Sequence, residues 1–403
     1  MSSDLAALRR RTERWFIRKG LPHLIDGYGA TTGVMTRMIP ALVVLFFLET
    51  NLVFGDRFAG WAQVGVWCGS AGILVAGAVL ANRLRGRRAF QVPDRVGFIE
   101  LGVFFALPSA IVALFGDSPA QYALAVLVLN VVAVSVIYLI TSYGIVPMLR
   151  WAVVFMARQM RQIVQLLARS LPLLLLFSLV IFLNAEMWQL AHDFLPAYYG
   201  IVVGMVLALS LVFLAIRIPL EVRSLAGFSS WQEVVDCCRA SDAPPATHAE
   251  LLAAAPDSGA PAAGTGDVVP LTAPLDRSAR ANVALLLFVS AMVRMLLVSL
   301  VVGVFFVILG LFTVRADTIL QWTTQTELDP IATWQLFGGE MVLTWELLAS
   351  AGVIATISAL QFAVASLNDT SYREQFFNDV AAEVRTVLAV RAVYSRHLVP
   401  TSG

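Results

Sequence analysis

Charged residues are scarce in this sequence. Asp, Glu, Lys and Arg make up 14% of its 403 residues, while 59% of the residues are hydrophobic. Soluble globular domains contain about 25% charged residues, because charged side chains keep their surfaces in water. The shortage of charge therefore excludes a soluble enzyme and indicates a protein that lies mainly in a membrane.

Cysteine and histidine are also rare, and their positions exclude further classes. Of the three cysteines, Cys68 falls in an apolar run and Cys237 and Cys238 are adjacent, so no disulfide framework is expected. The four histidines all lie outside the long apolar runs. Histidine-based or metal-assisted chemistry within the membrane is therefore disfavoured, and we expect no metal, no cofactor and no catalytic residue.

Several nucleotide-binding and hydrolase motifs are absent as well. No GxxxxGK[ST] loop, GxGxxG turn, HExxH helix or GxSxG elbow occurs, which excludes a self-contained ATP motor, a dinucleotide site and these hydrolase classes. Basic residues lie beside apolar runs and are not interleaved with aromatic residues, so no nucleic-acid partner is expected.

Long apolar runs are what the sequence does contain. A run of about 20 residues crosses roughly 30 Å of hydrocarbon as a helix. Eight runs qualify, at residues 38–54, 61–81, 96–115, 122–140, 171–190, 198–218, 295–314 and 340–364. The predicted fold class is an all-α, polytopic helical membrane bundle with about eight transmembrane helices.

The basic residues predict the orientation, because Lys and Arg beside a span stay in the cytoplasm. With a cytoplasmic N-terminus, all 28 basic residues except Arg57 and Arg315 lie inside. We therefore predict cytoplasmic N- and C-termini and a multi-pass protein of the cell membrane. Lys19 is the only lysine, and this bias towards arginine favours a bacterial plasma membrane.

Five segments follow from these spans. Residues 1–37 form an amphipathic cytoplasmic leader on the inner leaflet, and spans one to six occupy 38–218, with a basic interfacial helix near 150–170. A short helix capped by Ser230 and Glu233 and a flexible Ala/Pro/Gly linker fill 219–280. Spans seven and eight occupy 281–364 around an external loop at 315–339, and 365–403 form a cytoplasmic amphipathic helix.

These segments also suggest partners. The basic leader and interfacial helix favour anionic headgroups of the inner leaflet. The apolar stripe of the C-terminal helix needs a cover, which is its own membrane domain, the linker, a second copy or a membrane-protein partner. Small residues at helical spacing predict close packing between spans. They are Gly65, Gly69, Gly72, Gly200 and Gly204, with an alanine ridge at Ala351, Ala355, Ala359 and Ala363.

Ionisable and amide residues within spans are costly and suggest function. Glu49, Glu186 and Glu346 lie at similar predicted depth near the outer surface, and Asn130 and Asn184 lie somewhat deeper. Together they predict an acidic vestibule that binds a cation or proton. The alternative is that each glutamate reaches the headgroups or pairs with Arg57 or Arg315.

Three further residues suggest local structure. Glu100 and Arg294 have similar depth near the cytoplasmic side and predict a structural ion pair. Pro108 lies in the middle of its span, removes an amide donor and predicts a kink.

Three functions are compatible with these features. The leading hypothesis is a transporter or channel component that uses the outer carboxylates. The second is a noncatalytic membrane scaffold or assembly factor that acts through the linker and the C-terminal helix. The third is a lipid-processing enzyme, for which His23 and Asp26 would have to converge in one pocket.

Overall fold

The computed structural model describes a mostly helical chain. The described residues are 3–26, 28, 34–54, 119–158, 176–225, 227–228, 230–248, 275–336, 338–368 and 370–398, with single positions between 61 and 83. Predicted spans two and three, together with Glu100 and Pro108, fall outside this description apart from those single positions.

Eleven labelled helices and one hairpin are used below. The helices are α1 (Ser3–Arg18), α2 (Met35–Phe54), α3 (Pro119–Ser142), α4 (Ile145–Arg158), α5 (Ala185–Asp193), α6 (Pro196–Leu225), α7 (Trp231–Arg239), α8 (Arg277–Thr313), α9 (Ala316–Thr323), α10 (Trp345–Asn368) and α11 (Thr370–His397). The strands β1 (Ala332–Leu336) and β2 (Gly339–Leu343) pair antiparallel. Residues 20–146 form one compact unit, and residues 1–19 with 147–403 form the other.

Four of these helices are long and apolar enough to cross a membrane. The candidate spans are Leu124–Ser142, Pro196–Ile216, Arg277–Thr313 and Trp345–Ala365. Large apolar side chains on the first two are widely exposed, including Leu124, Ile201 and Met205. Lipid tails cover such surfaces without cost, so these helices suit a membrane protein. They coincide with four of the eight predicted spans.

Predicted span five is interrupted, which corrects the single helix expected at 171–190. Helix covers residues 176–182, but Asn184 adopts extended backbone angles and its side chain accepts a hydrogen bond from the Glu186 amide. That cap begins α5 as a separate helix, because an asparagine at this position satisfies an otherwise free amide.

Predicted span eight begins later than expected, and the fold is not purely helical. Residues 339–343 form strand β2, and Gly338 has φ +76°, which lets the hairpin turn. The buried Thr344 then accepts a hydrogen bond from the Leu347 amide at its side-chain oxygen, at 3.3 Å. This cap begins α10 at Trp345, where we had placed the span from residue 340.

Small residues bring α6, α8 and α10 together. A Cβ built on Gly303 would lie 3.2 Å from the Cβ of Ala355, and one built on Gly310 would overlap Leu347. The Ser299 hydroxyl donates to the Ala355 carbonyl at 2.8 Å. The predicted alanine ridge of α10 is buried at each of its positions, Ala351, Ala355, Ala359 and Ala363.

The predicted glycine face of α6 has a different environment. Gly200 and Gly204 are exposed, and no atom lies within 4 Å of a Cβ built on either. The same holds for Gly65, Gly69 and Gly72. Packing through these glycines stays a prediction, because no segment of the part of the chain that the structure describes lies against them.

A folded module joins the two ends of the chain. We call α1, α7, the 3₁₀ turn Pro244–Thr247 and α11 the terminal module. Its core includes Trp15, Phe16 and Tyr394, and the Phe16 and Tyr394 rings meet edge to face at 5.6 Å. The Ser230 hydroxyl caps α7 by accepting from the Glu233 amide, as its sequence spacing predicts.

The apolar face of α1 is therefore covered by protein. Leu8, Trp15 and Phe16 are all buried, although we had predicted that this face lies on lipid. The physical reason is that α11 and the Pro244–Thr247 turn contact α1 and offer it an apolar surface. For the same reason, the apolar stripe of α11 is covered within its own chain, with Val384 and Val387 buried.

Ion pairs connect the segments of the terminal module to each other. The Lys19 ammonium donates to Glu383 at 2.6 Å and lies 3.5 Å from Asp242, which also accepts from the Trp15 indole at 2.9 Å. Burial by itself raises the pKa of Asp242, but the Trp15 hydrogen bond and the Lys19 charge outweigh it and hold the pKa below its usual value. Arg385 pairs with Glu233 in the same module.

Candidate functional site

The strongest candidate site lies in the first turn of α10. Glu346 is 9% exposed and follows the Thr344 cap by two residues. A carboxylate in the first turn of a helix is favoured by the helix dipole, because the amides there carry partial positive charge. The position therefore tolerates a charge at the end of a candidate membrane span.

His192 of α5 contacts this carboxylate. Its Nδ1 atom lies 2.8 Å from Oε1 of Glu346. An ionised carboxylate can only accept, so Nδ1 carries the hydrogen in this pair. With Nδ1 as the donor, the other ring nitrogen, Nε2, keeps a lone pair that can accept a hydrogen bond. The His192 side chain is 35% exposed and that of Glu346 is 12% exposed, so the histidine is the more accessible partner.

An apolar cluster holds the pair in place. Phe182 and Trp188 pack with Phe306, Leu347 and Ile354. The Trp188 indole donates to the Phe182 carbonyl at 2.7 Å, which ties α5 to the helical stretch before it. Apolar surroundings of this kind strengthen the electrostatic attraction between the paired groups.

One further polar group lies on the same helix. Ser350 follows Glu346 by one helical turn, is fully buried, and its hydroxyl makes no hydrogen bond to any described residue. Residues four apart share a helix face. Ser350 therefore adds a hydroxyl oxygen to the face of α10 that carries the glutamate.

The predicted acidic trio divides between the two units. Glu186 is exposed in the first turn of α5, and the Asn184 side chain caps that helix. Both residues belong to the same unit as Glu346. Glu49 lies in α2 of the other unit, and its side chain is outside the description. A shared vestibule stays a prediction.

Asn130 belongs to the unit 20–146, in α3. It is 2% exposed, and neither its Nδ2 nor its Oδ1 atom has a hydrogen-bond partner among the residues that the structure describes. An unsatisfied buried amide costs about 1–3 kcal/mol. Asn130 stays a candidate ligand on this ground.

Of the predicted Glu100–Arg294 ion pair, only Arg294 lies among the described residues. Arg294 is buried in α8, and its Nε atom lies 3.5 Å from the sulfur of Met156. Glu100 and the predicted kink at Pro108 lie outside the described residues, so both stay predictions.

The sequence analysis missed His192. It placed this histidine just beyond span five and offered Arg57 or Arg315 as partners of the glutamates. The usable signal was Asn-Ala-Glu at residues 184–186, because an N-cap asparagine followed by a glutamate begins a new helix. That helix turns His192 towards α10.

The described residues also bear on two other site classes. Among the described residues, no group of three or more His, Cys, Asp or Glu side chains could hold a metal ion. His23 packs against the rings of Tyr28 and Tyr143 at 5.3 and 4.9 Å, whereas Asp26 is exposed. The lipid-processing function therefore stays a prediction.

Comparison with known protein families, with curated proteins and with solved structures gave no match.

Proposed function

We propose that this chain is a membrane transporter or channel component in which the Glu346–His192 pair binds and releases a proton. The observation that carries the proposal is a nearly buried carboxylate, at the end of a candidate span, hydrogen-bonded to a titratable histidine. Ionisable groups at such positions commonly mark ion or proton pathways. We further propose eight spans on the basis of the apolar runs, with the fifth as an interrupted helix, and cytoplasmic termini in the plasma membrane on the basis of the arginine distribution.

The pair offers a simple proton cycle. A proton added at Nε2 of His192 turns a neutral imidazole into an imidazolium, which strengthens its bond to the Glu346 carboxylate. Loss of that proton weakens the bond between α5 and α10. A change in proton occupancy thus changes how firmly two helices are held together, as a gate requires.

Flux measurements test this function. The purified full chain is reconstituted in proteoliposomes with an entrapped pH dye, and proton movement is driven by a potassium diffusion potential. We expect Glu346→Gln and His192→Gln each to slow proton flux about tenfold, because a charged hydrogen bond is worth about 1.5–3 kcal/mol. Glu340→Gln, an exposed carboxylate on β2, is the matched control. Unchanged flux in both site variants would contradict the proposal.

The scaffold function is the second candidate, and the terminal module favours it. A folded unit made from both ends of the chain gives a fixed surface outside the spans. Val384→Asp places a charge in the module core, while Ala382→Asp places one on an exposed position of the same helix. Loss of a co-purifying partner only with Val384→Asp, with flux unaltered, would favour the scaffold over the transporter.

A further inference from the structure

The outward face of α1 is a stripe of arginines. Arg10, Arg11, Arg14 and Arg18 are all exposed. At 3.6 residues per turn they fall within about 100° of the helix circumference. Thr12 and Phe16 lie on the opposite side and are buried in the terminal module, while the buried Leu8 and Trp15 lie between the two faces. One side of α1 thus packs in the protein core and the other carries positive charge.

The arginine stripe has no acidic partner within the part of the chain that is described. Arg9, on another side of the helix, pairs with Glu13 at 2.8 Å, whereas none of the four stripe residues forms an ion pair with a described carboxylate. Four like charges on one short helix repel each other, so a counter-charge from outside the chain stabilises them.

A short stretch of chain connects the stripe to the residues beside a candidate span. Gly20, two residues after Arg18, packs beside Gly144, where the Gly20 carbonyl oxygen lies 3.3 Å from a built Cβ. Gly144 is two residues beyond the end of candidate span Leu124–Ser142. The stripe from Arg10 to Arg18 is about 12 Å long at 1.5 Å per residue. Along the chain, its near end is two residues from Gly20, which packs beside the end of that span.

We infer that the α1 stripe is a binding surface for the phosphate groups of anionic phospholipids. Guanidinium groups form paired hydrogen bonds with phosphate oxygens, and positive charges beside a bilayer attract anionic lipid. Because the apolar face of α1 is already buried in protein, binding is electrostatic and involves no insertion. The inference is independent of proton transport and of the side of the membrane on which α1 lies.

Hydrogen–deuterium exchange tests the inference on the full chain. The protein is placed in nanodiscs of phosphatidylcholine alone or of phosphatidylcholine with phosphatidylglycerol at three to one. We expect slower amide exchange across residues 3–18 in the anionic discs, and loss of the slowing in 0.5 M NaCl. Each arginine is expected to raise the ratio of lipid-bound to lipid-free protein about fivefold.

Three variants make the test specific. Replacing all four stripe arginines by Gln abolishes the slowing, and replacing all four by Lys preserves most of it, because charge carries the binding. Arg315→Gln, an exposed arginine outside the module, leaves the slowing unchanged. Exchange across residues 384–394 of α11 reports whether the module stays folded. If the Gln variant speeds amide exchange in α11, the module is no longer folded in that variant. The Lys variant and the salt dependence of the unmodified chain then decide the result.

Several outcomes would overturn the inference. Equal exchange of α1 in both lipid compositions excludes lipid binding. Slowing that persists in the Gln variant shows that other residues bind the lipid. Equal slowing by inorganic phosphate in phosphatidylcholine discs identifies a free-phosphate site, and slowing only on addition of polyglutamate identifies an acidic protein partner.

Discussion

The apolar cluster beside Glu346 and the terminal module both hold helices together, but they use different interactions. The cluster is built from aromatic and aliphatic side chains beside the Glu346–His192 hydrogen bond. The module combines an apolar core with ion pairs from Lys19 and Arg385, and the Arg385 guanidinium also lies over the Phe228 ring. The difference is the one expected between helices that pack in lipid and helices that pack in water. Helices in lipid gain little from the hydrophobic effect and depend on close fit, whereas the module can use both burial and charge.

The largest expected effect comes from emptying the core of the module. Phe16→Ala removes a fully buried ring that contacts Tyr394, and we expect it to destabilise the module by about 3–5 kcal/mol. Exchange of α11 amides in the full chain measures this loss. Ile17→Ala, a half-buried neighbour, should cost about 1 kcal/mol. Equal costs for the two variants would show that α1 does not pack as described.

Overfilling the membrane helices should have a smaller effect. Gly310→Val places a side chain against Leu347 and Phe182 and should destabilise the α8–α10 contact by about 1–3 kcal/mol. Thermal unfolding in detergent measures it. Gly204→Val is the matched control, because its position is open and valine is slightly better than glycine in a helix. A loss of stability with Gly204→Val would instead reveal a partner on that face of α6.

The smallest expected effect is a difference in reactivity between the two thiols of the module. Burial raises the pKa of Cys238 to about 11, with a smaller contribution from Cys237. A thiol whose pKa is raised by folding stabilises the fold below the ordinary thiol pKa near 9, and this contribution is lost as pH rises towards 11. At pH 8 we expect iodoacetamide to modify Cys238 far more slowly than Cys237, which is partly exposed. Mass spectrometry of the labelled peptides checks the ratio, and Phe16→Ala should remove the difference.

Local sequence patterns predicted much of the secondary structure. The runs at 122–140, 198–218, 295–314 and 340–364 all correspond to candidate spans. Ser230 and Glu233 marked the start of α7. Such patterns succeed because hydropathy and capping act over a few neighbouring residues, and their physical effect does not depend on the rest of the fold.

Only one of the two residues of the candidate site was predicted from the sequence. Glu346 was identified because a carboxylate inside an apolar run is costly and needs an explanation. Its partner was missed because 154 positions separate it from His192, and the spacing of residues along the chain carries no information about such a contact. The hairpin before α10 was missed because Met341, Val342 and Leu343 are apolar and extend the hydrophobic run of the span.

The distribution of apolar and charged residues was sufficient to establish a helical protein suited to a membrane, since the cost of exposing peptide groups or charges to hydrocarbon acts on each segment separately. The cover of α1 and the partner of Glu346 depend instead on which surfaces meet after the helices pack. A stripe of apolar residues is satisfied equally by lipid or by protein. Only the position of α11 beside α1, and of α5 beside α10, distinguishes the two in this chain.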